Sequence, residues 1–201
     1  MKAIYPHDAS TSVSLFRFEN EQGHMEFWPR YKDLACAECG KIDEDKALQR
    51  GLEEKILFSV KRDIFGSFED LYIVNDRVRS IFDSVCADIA YYYFPSVSGY
   101  YVAMPRVVYH PQVNDKAFQI YGRCATCRRY STIGWGSGTP SIPNDVPVGA
   151  IHFEHGHGIG LLMYAAEHVI ALLSNAQPKL KLVVFLPLGG SRPLVGATPP
   201  S

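Results

Sequence analysis

The sequence predicts an α+β protein made of two similar strand–helix–strand units with a zinc-ribbon-like tetrathiolate site, and three observations carry this. Four of the five cysteines fall in two Cys-x-x-Cys pairs, Cys36-Ala37-Glu38-Cys39-Gly40 and Cys124-Ala125-Thr126-Cys127. Residues 71–82 and 162–173 share one pattern, in which a short apolar run is followed by an acidic residue that opens a helix with one apolar face. Each copy then leads to a strand ending in proline, Tyr91-Tyr92-Tyr93-Phe94-Pro95 and Val183-Val184-Phe185-Leu186-Pro187. The shared proline favours duplication over coincidence. The units span about 58–95 and 149–187 within a single α+β domain, 1–190. The hooks, at 36–40 and 124–128, lie before and after the first unit. The proline-rich end, 191–201, reads as a flexible tail.

With 201 residues, 47% hydrophobic and 20% charged, the chain is long enough to bury a substantial core. A net charge of −1 argues against a surface that is basic throughout, as a general phosphate binder would need. The start, Met1-Lys2-Ala3-Ile4-Tyr5-Pro6-His7, lacks the apolar core of a secretory signal, and no apolar run is long enough to span a bilayer. A cytoplasmic location follows as the expectation, with the paired cysteines as reduced metal ligands rather than a disulfide framework.

In chain order, Ser12 to Phe18 is β-prone. It is followed by the turn Asn20-Glu21-Gln22-Gly23-His24 and by Met25 to Trp28, which predicts a hairpin delivering the chain to the first hook. Asp43-Glu44-Asp45 place negative charge at a helix start, and Leu48, Leu52 and Ile56 recur every four residues, so a helix is expected there, weakened by Gly51. Leu57-Phe58-Ser59-Val60 reads as a strand. Cys86, in an apolar helical context, should pack as a small hydrophobe. Tyr100 to Tyr109 and Ala117 to Tyr121 are expected to pair as a hairpin around Pro111 to Asp115 and to lead into the second hook. Ile133 to Pro147, rich in Gly, Ser and Pro, reads as an ordered, irregular loop.

Two thiolates spaced by two residues grip one side of a tetrahedral ion, and two such hooks, Cys36, Cys39, Cys124 and Cys127, complete the four-sulfur shell of a structural zinc. Such a shell leaves no position for water. Gly40 suits a knuckle that needs backbone geometry a Cβ obstructs, whereas Arg128 holds the equivalent place in the second hook. A minimal ribbon has about 15 to 20 residues between hooks. Here the whole of 40–123 intervenes, so a metal would close a long loop around a folded insert.

Cys36-Ala37-Glu38-Cys39-Gly40, Gly122-Arg123-Cys124-Ala125-Thr126-Cys127-Arg128 and the segments ending in Phe94-Pro95 and Leu186-Pro187 together carry a family resemblance. From residue 36 to 188 the chain resembles the double-CXXCG motif proteins of myxobacteria and the related immunity proteins of polymorphic toxin systems. It departs from that pattern at Arg128, where the motif would have glycine. The resemblance implies a small, cytoplasmic, zinc-stabilised protein without catalysis that binds and neutralises a cognate toxin.

Other segments compete with this reading. Ile151 to Gly158 crowds His152, His155 and His157 around Glu154, the ligand types of a metal-dependent hydrolase. Their spacing is not that of a helical His-Glu-x-x-His motif, and the corresponding stretch of the first unit, 61–66, has no histidine. Arg123, Arg128, Arg129 and Tyr130 could form the basic, aromatic rim of a nucleic-acid-binding ribbon, but they also suffice to balance the charge of a tetrathiolate. The tyrosines at 91–93, 100 and 101 and the acidic runs Asp43 to Asp45 and Glu53-Glu54 suit a protein–protein surface. There is no phosphate-cradling glycine loop and no nucleophile elbow. The balance favours binding over catalysis and leaves the oligomeric state open.

Overall fold

The computed structural model describes residues 1–6, 14–58, 62–69, 71–109, 115–128, 130–138, 142, 145–151, 162–180 and 183–187. The mixed α+β class is as expected. The first of two larger sheets runs β4-β5-β7-β6, with β4 Ile64–Gly66, β5 Tyr72–Asn75, β6 Ile89–Tyr93 and β7 Tyr100–Pro105, and every neighbouring pair is antiparallel. Its helix, α2 (Asp76–Ser84), starts where the side chain of Asn75 accepts a hydrogen bond from the Val78 N–H, and it buries Val78 and Phe82.

The second sheet runs β13-β1-β12-β11-β8, from β1 Lys2–Pro6, β8 Val108–Tyr109, β11 Val148–Ile151, β12 Leu162–Ala165 and β13 Val183–Pro187. β1 lies between β12 and β13 and is antiparallel to both, and β8 joins β11 in parallel. α3 (Glu167–Asn175) buries Val169, Ile170 and Leu173 and packs against α2. A continuous apolar cluster draws on both sheets, from Ile73 and Val102 to Ile4, Val148 and Met163. Two polar contacts tie them further: the Tyr72 hydroxyl donates to the Ile4 carbonyl at 2.7 Å, and Arg77 reaches both buried Asp63 and the Pro178 carbonyl.

Two small ribbons complete the fold. The hairpin β2 (Arg17–Glu19) and β3 (Met25–Phe27) forms where the turn chemistry places it, with Asn20 accepting from the Gln22 and His24 N–H groups. The other ribbon, β9 (Phe118–Arg123) with β10 (Tyr130–Trp135), corrects the sequence reading in two ways. β7 spends its hydrogen bonds on β5 and β6, so it cannot pair with β9, and the segment read as irregular from Ile133 begins inside β10.

Three further expectations change. The helix α1 (Glu44–Gln49) stops before Leu52 and Ile56 because Gly51 turns left-handed at φ +86°. Leu52 and Ile56 are buried nonetheless, from irregular backbone. Leu57 and Phe58 are not in a strand and Leu57 is exposed; residues 59 and 60 lie outside the described residues, and the sheet begins only at β4. Cys86 is exposed at φ +53° just after α2, not packed as a hydrophobe. Among the described residues no helix is long and apolar enough to cross a membrane.

Candidate metal centre

The first hook follows a 3₁₀ turn, Pro29–Leu34, anchored by fully buried Tyr31. A bridge between Ala35 and Ile42 closes its base. Inside, the Cys36 N–H donates to Lys41 at 2.7 Å and the Gly40 N–H to Cys36 at 2.8 Å. This tight turn puts Gly40 at φ +66°, as the sequence suggested. Nothing lies within 4 Å of where a Cβ would stand, so the need for glycine is conformational rather than steric. Arg17 donates to the Gly40 carbonyl at 2.9 Å and braces the turn from the β2–β3 hairpin.

The second hook is the tip of the β9–β10 ribbon, where Arg123 pairs with Tyr130. Arg128 takes the same left-handed geometry that Gly40 takes, at φ +59°, and its carbonyl accepts from Arg123 Nε at 3.2 Å. Arginine therefore does not change the shape of this knuckle; it holds it at some strain.

The fold brings the hooks together. Sγ of Cys36 lies 3.8 Å from that of Cys124, Sγ of Cys39 lies 3.5 Å from that of Cys127, and all four sulfurs lie within 4.8 Å of one another. A tetrahedral ion with metal–sulfur bonds of about 2.3 Å has sulfurs roughly 3.8 Å apart, so the donor set fits a metal ion. The four thiols are also poised unequally. The backbone N–H groups of Cys39 and then Glu38 pull the Cys36 thiol down to about 6, while desolvation pushes Cys39 up to about 12. Thiolates this close repel one another, and a divalent cation relieves that repulsion.

A contact that the sequence reading missed locks the hooks to each other. The Glu38 carboxylate accepts from the Thr126 hydroxyl at 2.5 Å and from the Thr126 N–H at 3.1 Å. The Thr126 hydroxyl, and then the Cys124 thiol, holds the Glu38 carboxyl below its usual range. Both residues occupy the second x of their Cys-x-x-Cys, which was the available signal. Arg123 and Arg128 are exposed on the rim, and Arg129 lies outside the described residues. So does the whole histidine stretch with His152, His155 and His157.

No protein-family model, curated protein or solved structure matches the chain.

Proposed function

We propose that the metal is zinc and that the protein is a cytoplasmic, non-catalytic binding protein that neutralises a cognate bacterial toxin by covering it. The observation that supports this reading is the completeness of the sulfur set: four cysteines converge on one point, so a bound ion has no open position at which to activate water. Such a centre stabilises a surface and leaves function to what that surface touches. The resemblance to the double-CXXCG motif proteins supplies the partner class, and the acidic residues beside the first hook, among them Glu44 and Asp45, suit docking to a basic protein.

The same reading takes the two larger sheets as two copies of one unit. In each, an antiparallel strand pair leads into a helix, and the next strand returns across one intervening strand: β7 between β5 and β6, and β1 between β12 and β13. The intervening strand comes from after the unit in one case and from the start of the chain in the other.

Purified, reduced protein should hold about one zinc per chain. Co-expression with the toxin encoded beside it should give a stable complex by gel filtration and restore growth in proportion to the amount of this protein. Rescue by trace, clearly substoichiometric amounts would replace the binding reading with an enzymatic one.

A further inference from the structure

A cleft of about 630 Å³ opens beside the metal centre, with Cys39 in its wall. One side is a single face of the β2–β3 hairpin: the cross-strand pairs Arg17 with Phe27 and Glu19 with Met25 all point into it. Buried Phe16 and Ile42 also line it, as does exposed Phe68. Two of its apolar side chains are exposed, Met25 at 53% and Phe68 at 68%. Exposed aromatic and methionine side chains gathered around one concavity are what a protein interface uses, the aromatic as an anchor and the methionine as an adaptable contact.

The charge around the cleft has a sign. Glu19, Glu44 and Glu69 line it against Arg17 and Lys41. The Glu69 carboxylate accepts from the Leu15 and Phe16 N–H groups and the Ser14 hydroxyl. Arg17 lies over the Phe27 ring, 4.3 Å from its centroid, and donates to the Gly40 carbonyl.

We infer that this cleft is the docking site for a partner segment that presents an apolar side chain flanked by lysines or arginines. The apolar side chain enters between Phe27, Met25 and Phe68, and the flanking cations meet Glu19 and Glu44. This rests on the reading that the protein acts by binding another protein, and it names the surface and the chemistry of that partner.

The test is fluorescence anisotropy on the zinc-loaded full chain with a labelled heptapeptide, Arg-Leu-Arg-Phe-Arg-Leu-Arg, and its charge-reversed counterpart with glutamate at each arginine. The basic peptide should bind, more weakly as salt rises, and the acidic one should not. Phe68→Asp and Met25→Asp should each weaken binding about tenfold, the equivalent of losing one interface anchor. Glu19→Lys should weaken it as well. Leu57→Ala changes a residue that is 70% exposed but does not line the cleft, and should leave binding unchanged. Equal binding of both peptides, no binding of either, or affinity untouched by Phe68→Asp and Met25→Asp overturns the proposal. So does a dimer in sedimentation that those two variants abolish, since the occupant is then a second copy. A toxin complex that survives both variants removes the cleft as the docking site and leaves the proposed function standing, whereas the absence of any complex removes that function.

Discussion

The two hooks reach one backbone geometry with different residues. After its second cysteine the first has Gly40 at φ +66°, and the second has Arg128 at φ +59°. Glycine enters that region freely; a residue with a Cβ is strained there by roughly 1 kcal/mol. The first hook is also braced on one side by Arg17 and beneath by buried Tyr31, while the second stands at the tip of a two-stranded ribbon. The difference teaches that the knuckle shape belongs to the cysteine spacing and its ligand geometry, and that glycine only makes it easier. On this account the first hook holds its shape without an ion, and the second leans on the Glu38–Thr126 contact and on any ion that the four sulfurs bind.

The largest break should come from the cysteines themselves. Cys39→Ser and Cys127→Ser should both lose the metal and the cooperative thermal transition, because either removes a quarter of the shell and opens the loop it closes; metal analysis with a melting curve checks this. Gly40→Ala comes next and should cost more than about 1 kcal/mol in denaturant unfolding, since alanine is strained at positive φ. Arg128→Gly should do the reverse, raising stability by up to about 1 kcal/mol, and the gain should shrink after chelation if a bound metal is what holds that knuckle in its strained shape, because Arg128 can then relax.

Tyr31→Phe probes the support beneath the first hook. The hydroxyl donates to the Gly51 carbonyl at 2.6 Å, so its loss should cost about 1 kcal/mol. Burial raises the Tyr31 pKa to about 12. The unfolded chain therefore ionises first, at about pH 10, and folding stability should fall as pH climbs from there; Tyr31→Phe should reduce that alkaline loss. The smallest effect should be that of Glu38→Gln, which weakens the link between the hooks. Because the Glu38 carboxyl is held low, its contribution is present above the ordinary carboxylate pKa and disappears as pH falls through the depressed value. The wild type and Glu38→Gln should accordingly melt at different temperatures at neutral pH and converge in acid.

The features legible in the sequence are local ones. The spacing within Cys36-Ala37-Glu38-Cys39-Gly40 and Cys124-Ala125-Thr126-Cys127 specifies two like-shaped hooks, and Asn20 to His24 specifies a turn. Asp76 and Glu167 open helices where acidic residues favour them. Each of these depends on neighbours a few residues away. Which strands pair depends on the whole fold: β1 lies between β12 and β13, and β7 pairs with β5 and β6 instead of with β9. Any apolar strand offers the same hydrogen-bonding edge to many others, so alternation cannot name a partner. The contact between Glu38 and Thr126 and the exposure of Cys86 were likewise hidden, because both depend on what the rest of the chain brings near or leaves uncovered. The sulfurs sit in two short words of sequence, but only the folded chain between them, by fixing its ends side by side, puts all four around one point.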